Sequence, residues 1–212
     1  SFPNQTMHLE ALTEHSKSLF SRLAKFPEFY LAGGTALALQ IGHRVSVDFD
    51  LLSDTKIERT LLSKVKRAYA DISMNVSVNN SDELTVFMGE TKVTFLSFPF
   101  PALLPLATYE EIRILSGPEI AATKAYTIGR RGSYKDYIDL YFILAEHHAS
   151  LEDIIGFAEK KYDGEFNDRL FLEQLVYMED ITDTAITLLR DCDVTIPSLE
   201  EFFSREVQKI TL

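Results

Sequence analysis

The chain has 212 residues, 46% of them hydrophobic, and 32 Asp and Glu against 21 Lys and Arg give a formal net charge of −11. That apolar content supports a packed core and excludes a disordered chain, and no apolar run approaches the roughly 18 residues of a membrane span. The acidity argues against loose binding of RNA or DNA, and a lone Cys192 without a Cys/His cluster excludes an internal disulfide and a structural zinc site.

Leu9, Leu12, Leu19, Leu23 and Phe26 fall at mostly helical spacing, and Pro27 ends the run, which predicts one scaffold helix. Residues 29–32 then read as a strand, 34–42 as an Ala/Leu-rich helix and 46–52 as a second strand. Gly33-Gly34-Thr35 lies where the first strand turns into the helix, so backbone N–H groups and the Thr35 hydroxyl are expected to face an anion there. In the second strand, Asp48 and Asp50 fall on one face about 7 Å apart, with Phe49 on the other. Two carboxylates so placed suit a shared hard cation such as Mg²⁺, or Mn²⁺ in its place. His43 and Arg44 lie between the two motifs and read either as substrate contacts or as cations complementing a helix end.

A helix over residues 57–69 is followed by three alternating runs, 72–78, 83–89 and 92–98, separated by Asn79-Asn80-Ser81-Asp82 and Gly89-Glu90. They predict an antiparallel meander completing a mixed sheet. The proline-rich stretch 99–105 reads as a linker, which sets domains of 1–104 and 105–212. Beyond it, residues 118–129, 133–147, 151–161, 167–177 and 199–210 are all helical in period. The expected class is α+β, a mixed sheet with helices followed by a helical bundle. In the helical half, Lys124 and Arg131 at i+7 form a basic stripe, and Asp136 and Asp139 share a face. Lys135 with Asp139 could also be an ordinary i, i+4 salt bridge.

A phosphate-binding turn followed by Asp-x-Asp on the next strand resembles the DNA polymerase beta-like nucleotidyltransferases. The fuller wording, Gly33-Gly34-Thr35-Ala36-Leu37 and then His43-Arg44-x-Ser46-x-Asp48-x-Asp50, resembles the AbiEii/AbiGii toxin family within them, and so does Lys124 through Arg131 followed by Lys135-Asp136-x-x-Asp139-Leu140-Tyr141. The resemblance spans about residues 25 to 145. It implies transfer of a nucleoside monophosphate from a triphosphate to an acceptor hydroxyl, tRNA or another RNA among the acceptors, by a toxin with a cognate antitoxin. It further implies metal on Asp48 and Asp50, nucleotide on Gly33, Gly34, Thr35, Arg44 and Arg131, and catalytic contributions from Lys124, Asp136 and Asp139. The sequence departs from the wider pattern in one respect: no Asp lies inside the later strands, so Asp136 or Asp139 is the substitute base. That gap motivates two alternatives, a degenerate nucleotide-binding regulator and a small-molecule (antibiotic) transferase. The first residues lack a signal-peptide pattern, so a cytoplasmic protein without membrane association is expected.

Overall fold

The computed structural model describes residues 7–210, with the side chain of Arg131 outside the described residues. The chain forms two compact units, Ser1–Ser116 and Gly117–Leu212. Among the described residues no helix is long and apolar enough to cross a membrane.

The first unit is built on a seven-stranded mixed sheet. In chain order its strands are β1 (Tyr30–Ala32), β2 (Phe49–Ser53), β3 (Met74–Asn79), β4 (Glu83–Met88), β5 (Thr91–Ser97), β6 (Ala107–Tyr109) and β7 (Ile112–Ile114), arranged β3-β4-β5-β2-β1-β7-β6. The meander expected from alternation is present as β3, β4 and β5, antiparallel throughout, and β5 then runs parallel to β2. The helix expected over residues 9–26 is broken. A 3₁₀ turn (Leu9–Ala11) precedes α1 (Glu14–Phe20), and a second 3₁₀ turn (Ser21–Lys25) follows it. The break has a local cause, because the Thr13 side chain accepts the Ser16 N–H and so starts a new helix. Helices α2 (Gly33–Ile41) and α3 (Leu61–Ala68) complete the unit, and Gly42, at φ 62°, closes α2 in the left-handed conformation a C-terminal glycine supplies. Phe26 and Phe29 pack edge-on against Phe95, with ring centroids 5.1 and 5.0 Å apart, and Phe49 is fully buried.

The expected linker belongs to this unit. The β6–β7 hairpin joins the sheet through a parallel pairing of Leu31 with Ile114, so the units divide after Ser116 rather than after residue 104. The second unit is helical: α4 (Gly117–Arg131), α5 (Tyr134–Ala145), α6 (Leu151–Tyr162), α7 (Asp168–Leu175) and α8 (Ile196–Gln208). Its helix starts are marked by polar caps, Ser133 with Asp136, Ser150 with Asp153, Asn167, and Thr195 with Ser198, where side-chain oxygens accept N–H groups the helix leaves unpaired.

Candidate functional site

Strand β2 carries Asp50 and is flanked by Asp48 just before its start. Antiparallel pairing sets Asp50 opposite Ala32 of β1, and parallel pairing sets it beside Thr94 of β5. Phe49 and Leu51 point into the core at 0% and 2% exposure, whereas Asp48 and Asp50 are half-buried on the other face, the alternation the sequence predicts. The Lys92 backbone N–H donates to Asp48 Oδ1 at 3.0 Å.

Beside this pair begins α2. Ala32 at its N-cap offers no side-chain cap, so the first-turn amides lack the usual internal acceptor, and Gly33 and Gly34 are half-buried rather than sealed. Gly33 has φ 68°, and a Cβ there would run into the Asp50 carboxylate. Both facts require glycine: the backbone is left-handed, and the carboxylate lies directly over the helix start.

Thr35 departs from expectation. Its hydroxyl does not face outward but is buried at 2% exposure, donating to the Asp48 carbonyl and lying 2.7 Å from Ser46 Oγ. Arg44 is likewise buried, at 3% exposure, with Nη1 donating to the Val45 carbonyl at 3.1 Å, and neighbouring His43 is fully buried. Neither is an exposed cation at a helix end.

In the helical unit, α4 and α5 bring three predicted residues together. Lys124 Nζ lies 2.7 Å from Asp136 Oδ1 and 2.9 Å from Asp139 Oδ2, with side-chain exposures of 12%, 11% and 0% for the three residues. The expected Lys135–Asp139 pair is therefore not the one Asp139 makes; Lys135 is exposed, and the buried acid takes the cation from the neighbouring helix. Asp136 has a second task, since its Oδ2 accepts from Ser133 N at 2.9 Å and Ser133 Oγ at 2.8 Å at the start of α5. Arg131 ends α4, and its side chain lies outside the described residues.

Among the described residues no group of three or more His, Cys, Asp or Glu gathers to hold a metal. The donor set of Asp48 and Asp50 nonetheless fits a hard divalent cation: two half-buried carboxylates lie on one face of the strand, that of Asp50 against the start of α2, and Mg²⁺ characteristically takes only one or two carboxylates and completes its shell with water and phosphate. The position beside Asp50 on β5, where a third acid would share the face, is Thr94.

A family model described as "Nucleotidyl transferase AbiEii toxin, Type IV TA system" matches residues 17–209. The chain belongs to that family. An uncharacterized protein of Aquifex aeolicus (strain VF5) is 31% identical over 193 residues, covering 86% of this chain and 87% of its own length. Two solved structures share the fold of this AbiEii-family chain. MenT4, a nucleotidyltransferase toxin of Mycobacterium tuberculosis H37Rv, matches with a TM-score of 0.59 at 16% identity, covering 92% of this chain and 83% of that one. A candidate nucleotidyltransferase of H. pylori matches with a TM-score of 0.57 at 19% identity, covering 93% and 96%. The protein is accordingly a nucleotidyltransferase of α+β fold, as the glycine turn and Asp-x-Asp pair imply.

Sequence reading assigned no role to Ser46, although it stands inside the quoted motif, because spacing alone names no partner for a serine. Lys92 was invisible for another reason: it acts through its backbone N–H, which every residue but proline possesses.

Proposed function

We propose that the protein transfers a nucleoside monophosphate from a triphosphate to an RNA hydroxyl in a divalent-metal-dependent reaction. The observation that carries this reading is the placement of Asp48 and Asp50 on one face beside the uncapped start of α2. Asp48 and Asp50 would hold Mg²⁺, or Mn²⁺, and the amides of the first turn of α2 at Gly33 and Gly34 would take phosphate oxygens, which a helix N-terminus favours. The cation, when bound, offsets charge on the triphosphate. The protein's own residues do the rest: glycine at position 33 leaves room for the Asp50 carboxylate against the start of α2, and strand pairing on both sides fixes the backbone of Asp50. Lys124, Asp136 and Asp139 remain the catalytic assignment for the helical unit, and we take Arg130, Arg131 and Lys135 as the RNA landing site, a local basic set within an otherwise acidic unit. Arg130 is exposed, with its guanidinium 3.5 Å above the Tyr126 ring. A cognate antitoxin is the expected partner, given the type IV toxin–antitoxin description of the family.

The test is incubation of the purified protein with each labelled triphosphate, Mg²⁺ and total cellular RNA, alongside expression in bacteria. Label should enter RNA, and wild type but not Asp48→Ala should slow growth. Label in a small molecule instead would favour the antibiotic-modifying alternative. Thr94, standing where a third acid would, favours a nucleotide-binding regulator as the second reading, for which triphosphate binds without turnover.

A further inference from the structure

Asp48 precedes the first paired residue of β2, so the sheet ladder does not hold it. The segment before it, residues 45–48, has no regular structure, yet its polar groups are secured one by one. The Ser46 N–H donates to the Ala11 carbonyl at 2.8 Å, the Ser16 hydroxyl to the Val47 carbonyl at 3.3 Å, and the Thr35 hydroxyl to the Asp48 carbonyl. A hydroxyl has one proton. Because Thr35 gives its proton to Asp48, the 2.7 Å bond to Ser46 must run from Ser46 Oγ to Thr35 Oγ1. By the same logic Ser16, its proton on Val47, accepts from Thr13 Oγ1 at 3.0 Å and Thr91 Oγ1 at 3.4 Å. Donor directions in the whole cluster are thus fixed, and they converge on the two carbonyls that lead into the aspartate pair.

Ser16, Thr35, Ser46 and Thr91 are exposed by 0%, 2%, 9% and 0%. A buried hydroxyl is unfavourable unless its bond is made, so a core needing only volume would use valine or alanine at such positions. We propose that Thr35 and Ser46, backed by Ser16, are positioning residues that set the backbone of Asp48 and through it the carboxylate that meets the cation. Thr35 in this role acts on the protein rather than on phosphate. The inference rests on the metal reading of Asp48 and Asp50, and its test separates the two.

The experiment compares wild type with Thr35→Val, Thr35→Ser and Ser46→Ala. Mn²⁺ affinity is read by electron paramagnetic resonance of the ion, and amide hydrogen exchange is read in peptides covering residues 45–49. Thr35→Val keeps shape and removes the hydroxyl; it should weaken Mn²⁺ by about tenfold, the scale on which partners behind a ligand act. It should also speed exchange in residues 45–49 more than elsewhere in the first unit. Thr35→Ser restores the hydroxyl and should restore both values, while Ser46→Ala should shift both in the same direction as Thr35→Val but less. Wild-type Mn²⁺ affinity in Thr35→Val, or exchange that rises evenly over the unit, overturns the positioning role. If the wild-type protein binds no Mn²⁺, the metal reading fails, and the exchange data decide alone: local opening in Thr35→Val supports the clamp, and unchanged exchange refutes it.

Discussion

The two units bury polar groups of opposite kinds. Apart from His43 and Arg44, the α/β unit buries neutral ones, Ser16, Thr35, Gln40, Ser46, Ser53, Thr85 and Thr91, whereas the helical unit buries charges, Glu119, Asp136, Asp139 and Lys161. Overall charge divides the same way. Residues 1–116 carry 11 basic and 13 acidic side chains, and residues 117–212 carry 10 and 19. The acidity that argues against nucleic-acid binding therefore belongs to the helical half, and the unit bearing Asp48 and Asp50 is close to neutral. The physical lesson concerns cost. A hydroxyl bonded to a carbonyl is cheap to bury, so it can adjust a catalytic backbone; a buried ion pair is held firmly only while both partners are present.

Four sets of substitutions probe that contrast. The largest effect should come from Asp48→Ala with Asp50→Ala, which ought to lower nucleotide transfer by at least about 10²-fold, the scale of losing charge stabilisation at a reacting centre, with little change in melting temperature. A double variant that keeps wild-type turnover, measured with labelled triphosphate, would falsify the assignment of the pair. Next is the charged interior. Lys161 Nζ lies 2.9 Å from Glu119 Oε1 with both side chains at 0% exposure, and Lys161→Met alone should cost about 3–5 kcal/mol by taking the cation from a buried carboxylate. Adding Glu119→Leu should return much of that stability in thermal or urea unfolding, and Lys124→Met should behave like the single change because it strips the cation from both Asp136 and Asp139. If each single change melts like wild type, the buried charges are not the cohesive element claimed.

Gly33→Ala should come third. Left-handed φ costs a non-glycine residue about 1–2 kcal/mol, and the new methyl must displace the Asp50 carboxylate, so activity should fall further than stability. Equal losses in the two assays would assign Gly33 to folding alone. The smallest effect belongs to the surface. Hydrogen bonds from the Arg22 guanidinium, one of them 2.8 Å long, hold the Asp71 carboxyl down at about 2. A lowered carboxylate adds stability that is fully present above the ordinary aspartate range and fades as pH falls through about 2. Because the pair is exposed, Asp71→Asn should change melting at neutral pH barely at all and flatten the acid limb only slightly. A large shift at pH 7 would show the pair to be structural.

Much of this was legible before any coordinates, and the reasons differ by element. Period-2 spacing was sufficient to place Asp48 and Asp50 on one face, and 3.6-residue spacing located α4 to α8 to within a few residues. The β6–β7 hairpin escaped because its strands are three residues each and its turn uses Glu110 and Glu111 at φ 47° and 65°, where a reader looks for glycine or asparagine. The inward hydroxyl of Thr35 escaped because a glycine turn advertises its amides, not the carbonyl of a residue thirteen positions on. The Lys124 cluster was half legible: Lys124, Asp136 and Asp139 do come together, but sequence spacing offered Lys135 as a partner for Asp139, which packing pairs with Lys124 instead.

The late strand β7 also covers the free edge of β1, the neighbour of the strand that carries Asp50. During synthesis, β1 emerges early and waits for Ile114, its parallel neighbour, through the entire meander. A nascent or prematurely terminated chain ending near residue 104 presents β1 as an open edge next to the strand that carries Asp50, and open edges recruit other strands. Pairing across so long a stretch is also slow to form.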